Sequence, residues 1–172
     1  MTDRILWAPW RASFVLAKKE KGCPFCKALK ARKDSVKNLI VYRGETCFVV
    51  LNKYPYNSGH ALVVPNRHIF GLNQLKKAES DEFFEITRLT VRVIKGTLKP
   101  HSFNLGMNLG RCSGAGIPEH LHMHIVPRWN GDTNYIPVFA EVRVIPEHFR
   151  QTYARLAPHF QALKDEDVSC AT

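Results

Sequence analysis

The stretch that most constrains this chain is His120-Leu121-His122-Met123-His124-Ile125-Val126-Pro127-Arg128. Histidines alternate with apolar residues, and a β-strand repeats every two residues. His120, His122 and His124 are therefore expected on one face, with Leu121, Met123 and Ile125 on the other. At a rise of about 3.3 Å per residue, successive imidazoles would sit roughly 6.5–7 Å apart at the backbone. A line of titratable, nucleophilic and metal-capable groups would thus be backed by a core face. A lone strand histidine is ordinarily a packing residue; three in strict alternation are hard to account for by packing.

The rest of the chain supplies a sheet and a helix to carry that strand. Residues 39–43 and 47–51 read as two strands joined through Gly44-Glu45, a hairpin. A turn-rich run, 53–59, leads into a further strand at 60–65. Ser80 followed by Asp81 and Glu82 predicts a helix start with acids in the first turn. From there Phe83, Ile86, Leu89, Val93 and Ile94 recur at helical spacing to about Lys95. In residues 102–108 alternation returns, with Phe103, Leu105 and Met107 on one face and Asn104 and Asn108 on the other. Such an order predicts an α+β domain with a mainly antiparallel sheet, a helix over its apolar face and a ligand on the opposite face.

Composition narrows the setting. The 172 residues suit one domain with a sizeable core, and no apolar run is long enough for a signal peptide or a membrane span. Five cysteines, two of them in Cys23-Pro24-Phe25-Cys26, fit a reducing cytoplasm better than a disulfide framework. Of the net charge of +10, residues 1–43 carry +8, from eleven Lys/Arg against Asp3, Glu20 and Asp34. A basic surface attracts polyanions, nucleotide or nucleic acid alike. The segment from Lys164 onward lacks apolar periodicity and is expected to fray.

The alternation H-φ-H-φ-H-φ-φ, φ being apolar, resembles the signature of the histidine-triad (HIT) family of nucleotide hydrolases and transferases. The resemblance extends to Leu6-Trp7-Ala8-Pro9-Trp10-Arg11, to Cys23-Pro24-Phe25-Cys26 and to Leu51-Asn52-Lys53-Tyr54-Pro55-Tyr56-Asn57-Ser58-Gly59-His60. It continues through Asn108-Leu109-Gly110 and Pro127-Arg128-Trp129-Asn130-Gly131-Asp132. Together these look like the bacterial branch that includes diadenosine tetraphosphate phosphorylases. The resemblance implies a HIT-like fold, a mainly antiparallel sheet packed against one long helix and shorter helices. One domain would span 1–160, with 161–172 a flexible tail. It also implies a homodimer and a diadenosine polyphosphate substrate, with no organic cofactor.

Imidazole is a good nucleophile near neutral pH, its ordinary pKa being about 6.5, provided the other ring nitrogen holds the proton. By resemblance His122 is the nucleophile, forming a nucleotidylated intermediate that phosphate or water resolves. His124 would contact the phosphate or orient His122, and His120 would support them. Asn52 matches a ribose-contacting position and Asn108 a phosphate-contacting one, while Phe25 and Val50 fall where the family surrounds the base. Loop 110–116, with Arg111, Gly114, Ala115 and Gly116, would offer backbone N–H groups to an anion. Some phosphorylases of the branch carry a serine there that helps receive inorganic phosphate; Gly116 stands at that position, and Ser113 lies three residues earlier.

Cys23 and Cys26 suit tetrahedral zinc but need two more ligands. Relatives complete such a site with residues that correspond to His68 and His120, giving a closed structural Cys2His2 shell. Three other readings compete. The triad strand could hold a catalytic zinc, but the neighbouring acids are only Glu119 and Asp132. A nucleoside phosphoramidate hydrolase would use the same nucleophile. A basic nucleic-acid-binding module would explain the charge, but no aromatic-rich signature accompanies it.

Overall fold

The computed structural model describes residues 22–31, 33–132 and 147–169, the side chains only as far as 163. The stretch 6–11, including Trp7 and Trp10, lies outside the described residues. Helix α1 (Pro24–Leu29) opens the described chain, with proline in its first turn, where a missing N–H costs nothing. Strands β1 (Ile40–Arg43) and β2 (Cys47–Leu51) form the expected hairpin, and β3 (Ala61–Pro65) follows. Then come the long helix α2 (Lys77–Leu98), strands β4 (Ser102–Gly106) and β5 (Met123–Arg128), and helix α3 (Phe149–Ser169). The five strands form one antiparallel sheet in the order β1-β2-β3-β5-β4. This is the α+β architecture expected of the sequence.

Helix α2 packs across β2, β3 and β5, and α3 lies against β1 and α2. Phe48, Phe83, Ile94, Ile125, Leu156 and Phe160 are fully buried between these elements. Removing side chains of that size from water stabilises the fold by about 1.5–3 kcal/mol each. The register runs Val50↔Leu62↔His124↔Gly106 across four strands, so these residues share one row. Ala61↔Ile125 and Val63↔Met123 flank that row on the opposite, helix-facing side.

Three expectations are corrected. The triad does not lie on one strand: β5 begins at Met123, and only His124 belongs to the ladder. Ahead of it the chain leaves β3 and runs beside 65–69, where the Leu121 N–H donates to the Ile69 carbonyl. Helix α2 starts at Lys77 rather than beside Ser80, because the Glu79 carboxylate accepts the Lys76 N–H at 2.8 Å and caps the end from inside. It runs past Lys95 to Leu98, where left-handed Lys99 and then Pro100 stop it.

Strand β4 carries an apolar face that is only partly covered, Phe103 packing against the core while Leu105 does not. Leu105 is 52% exposed, since among the described residues nothing pairs with or covers the outer edge of β4. Helix α3 runs to Ser169.

Candidate active site and metal centre

Four histidines from three segments meet beside the β3–β5 junction. The turn 53–59 ends at Gly59, whose φ of +78° and close approach to Leu98 admit no side chain: a Cβ would lie 2.5 Å from Leu98 Cδ1. His60 follows directly and is buried. Its Nδ1 accepts the Tyr56 N–H at 3.0 Å, so its proton sits on Nε2, which donates to His124 Nδ1 at 2.9 Å. That leaves the His124 proton on Nε2, a buried donor with no acceptor among the described residues. Tyr56 stacks on the His124 ring at 5.6 Å and 12°.

His122 is set from the other side. Its Nδ1–H donates to the His120 carbonyl at 2.7 Å, which leaves the lone pair on Nε2. The His122 and His124 rings stand 4.8 Å apart. Burial pushes the pKa of His122 below its ordinary value, the His120 carbonyl opposing the shift only in part. Burial, and then the neighbouring His122, push His124 down to about 4. At neutral pH both rings are uncharged, one offering a lone pair and the other an N–H.

His120 faces away from this pair. Its Nε2–H donates to the Pro65 carbonyl at 2.9 Å, leaving a lone pair on Nδ1. That nitrogen lies 3.2 Å from Cys23 Sγ and 3.7 Å from Cys26 Sγ, and His68 Nδ1 lies 3.3 Å from Cys26 Sγ. All four donor atoms fall within 4.8 Å of one another. Zinc bonds of about 2.3 Å to sulfur and about 2.0 Å to nitrogen, at tetrahedral angles, imply ligand–ligand edges of about 3.3–3.8 Å. The three sulfur–nitrogen contacts, at 3.2, 3.3 and 3.7 Å, lie within about 0.1 Å of those edges. The bond from His120 to a backbone carbonyl is the second-shell contact that fixes the ligating nitrogen. The residues therefore fit a closed Cys2His2 metal centre.

Residues 33–131 match the HIT domain family. The chain belongs to the HIT family. It is 40% identical over 159 residues to an AP-4-A phosphorylase of Mycobacterium tuberculosis, covering 88% of this chain and 82% of that one. It is 33% identical over 104 residues to a bis(5'-adenosyl)-triphosphatase of Saccharomyces cerevisiae, covering 60% of this chain and 50% of that protein. Among solved structures it resembles a zinc-bound histidine triad family protein from Mycobacterium smegmatis. There the TM-score is 0.65 at 22% identity, over 84% of this chain and 96% of that one. At that identity the likeness is one of fold.

The other expected residues of this HIT chain are spread around the histidines. Phe25 is buried, its ring 5.4 Å from His120 and 5.2 Å from His122. Val50 shares the sheet row of His124. Asn52 is half-buried and engaged within its own turn: Oδ1 accepts the Tyr54 N–H, and Nδ2 lies 3.3 Å from His60 Nδ1. Half-buried Asn108 stands two residues beyond Gly106, the cross-strand partner of His124.

Loop 110–116 is mostly exposed, with positive φ at Gly110 and Gly114, while Ala115 is half-buried and Gly116 open. Ser113 spends its hydroxyl proton on the Gly110 carbonyl. Arg111 is 84% exposed and pairs with Glu119 at 3.7 Å, and no contact joins it to His122 or His124. Sequence reasoning passed over His60 and Tyr56 as site residues. Only the register of β3 against β5 brings His60 to His124, and periodicity carries no signal of that.

Proposed function

We propose that this HIT chain cleaves diadenosine polyphosphates, diadenosine tetraphosphate first among them, by nucleotidyl transfer through His122. The carrying observation is the hydrogen-bond chain that leaves one free lone pair, on His122 Nε2, beside one unpartnered donor, on His124 Nε2. The name of the 40% identical phosphorylase supports the substrate class.

The His122 lone pair attacks a phosphorus of the polyphosphate. A P–N bond forms as the P–O bond to the leaving nucleotide breaks, and the leaving oxygen takes the electron pair. The His124 N–H lies beside that centre and stabilises the charge growing on oxygen. The His120 carbonyl holds the remaining His122 proton, which steadies the positive ring of the intermediate. Phosphate or water then attacks the phosphorus and the P–N bond breaks.

Phosphate is the major acceptor in this reading. Positive-φ loop glycines and a nearby guanidinium suit an anion, and the stretch 127–132 resembles the phosphorylase branch. Zinc held by Cys23, Cys26, His68 and His120 would supply a four-coordinate brace with no open position. The chain acts in the cytoplasm as a homodimer, a second copy covering the edge of β4. No described helix is long and apolar enough to cross a membrane.

The test is product chromatography after incubation with diadenosine tetraphosphate at millimolar phosphate. Adenosine diphosphate plus triphosphate is expected. Monophosphate plus triphosphate would make water the acceptor, and no cleavage would overturn the reading.

A further inference from the structure

The metal centre and the nucleophile share a residue, and the way they share it has consequences for the reaction. His120 joins the donor cluster through its ring and holds His122 through its main-chain carbonyl, at 2.7 Å. That carbonyl lies outside the sheet. The β3–β5 pairing ends at Met123↔Val63, so no ladder fixes the backbone at His120 or His122. What fixes it is the Leu121 N–H bond to Ile69, the His120 bond to Pro65, and the contacts of the His120 ring with the two cysteines.

A second connection runs through Phe25, which sits between the two cysteines. Its ring meets His120 edge-on at 84° and lies 5.2 Å from His122. Helix α1, which carries Phe25, has six residues and no side-chain N-cap. A helix that short does not hold itself in water. Its position depends on packing and on whatever holds Cys23 and Cys26. The carbonyl and the ring thus connect the cluster to the same imidazole.

We propose that the Cys23/Cys26/His68/His120 centre positions the nucleophile as well as bracing the fold. His120 and Phe25 are its positioning residues, holding His122 in the single tautomer that leaves Nε2 free. The metal itself takes no part in any step. The outer ligand, His68, contacts Cys26 and the His120 ring but not His122, so a change there reaches the nucleophile only through the centre. The proposal rests on His122 being the nucleophile, but its first readout does not require turnover.

The experiment uses the full chain with added zinc, the His68→Ala chain, and His68→Cys, which restores a fourth ligand. Long-range proton–nitrogen NMR of the imidazoles reads the His122 tautomer directly. A single tautomer protonated at Nδ1 is expected with zinc. A mixture is expected in His68→Ala or after chelation, and the single tautomer again in zinc-loaded His68→Cys.

With diadenosine tetraphosphate, kcat per folded molecule should fall about 10- to 100-fold in His68→Ala, the usual cost of disturbing a shell around a metal site. KM should stay within about threefold, because the hydrogen bond and ring contact of His68 go to Cys26 and His120 rather than to Asn52, Asn108 or Phe25. An unchanged tautomer and an unchanged kcat alongside a lowered melting temperature would reduce the centre to a brace and overturn the proposal. If His68→Ala does not fold, the wild-type chain decides: stripped of metal by chelator and still folded by circular dichroism, it should mix the tautomers and recover the single one on adding zinc, and an unchanged His122 signal throughout would overturn the proposal. A zinc-dependent tautomer in a chain that cleaves no dinucleotide would leave the proposal standing and sink the substrate reading.

Discussion

Each of the four clustered histidines has at least one nitrogen committed, and which nitrogen is left decides what the ring can do. His60 is the least conspicuous in the sequence, a lone histidine at the head of a strand. Yet its Nε2–H fixes His124 with the donor outward. His60→Asn is too short to keep that bond, so His124 becomes free to present the wrong tautomer. The expected result is a kcat loss of about 100-fold, the scale of losing one oriented donor, with KM little changed. His122→Ala should lose several orders of magnitude while still binding nucleotide. Steady-state kinetics of the two variants separates the roles, and a wild-type kcat in His60→Asn would return that residue to packing. The triad itself was legible because three alternating histidines have no packing explanation. The division of labour among them was not, since it follows from backbone carbonyls and a cross-strand neighbour.

At the scale of elements, the strands were legible from alternation and the long helix from its 3.6-residue period. Their ends and coverage were less so. Ser80-Asp81-Glu82 imitates a helix start, but the start is set by Glu79, whose carboxylate takes Lys76 N–H together with both arms of Arg67 at 2.6 and 2.7 Å. Those bonds, Arg67 first, hold the Glu79 pKa down at about 2 against an ordinary 4.5. Because the folded value is depressed, the stabilisation is complete above about pH 4.5 and disappears as pH falls toward 2. Arg67 precedes His68, so the same contact ties the start of α2 to the turn that supplies the outer metal ligand. Glu79→Gln should cost about 1–3 kcal/mol at pH 7, the range for hydrogen bonds to a charged group. The difference from wild type should shrink as pH is lowered from 4.5 toward 2. Denaturant unfolding at pH 7 and pH 3 measures it, and an equal difference at both would refute the assignment.

For the whole molecule, the two edges of the sheet are treated differently. The β1 edge is covered by α3, with the Tyr42 and Phe160 rings 6.1 Å apart. The β4 edge is bare among the described residues, and beside it runs a groove of about 980 Å³ lined by Phe84, Val91, Leu105, Met107 and Met123, with Arg88, Arg92 and Lys95 of α2 also on its wall. Alternation in residues 102–108 correctly grouped the apolar side chains, but grouping does not say that the face is covered within one chain. Exposed, unpaired strand edges flanked by apolar side chains template association, and a two-fold axis at β4 would bury both copies of the groove at once. An isologous contact sets each residue near its own symmetry mate, so one substitution enters twice. Leu105→Glu would remove two leucines from the middle of the seam and set two carboxylates near each other across the axis, losing the apolar contact that the pairing buries. Size-exclusion chromatography with light scattering should give the mass of two chains for wild type and of one for Leu105→Glu. Because Gly106, the next residue, pairs with His124, the monomer should also lose part of its kcat as the β4 edge loosens. A wild-type chain that runs as a monomer at tens of micromolar, or a Leu105→Glu chain that stays dimeric, would remove β4 as the interface.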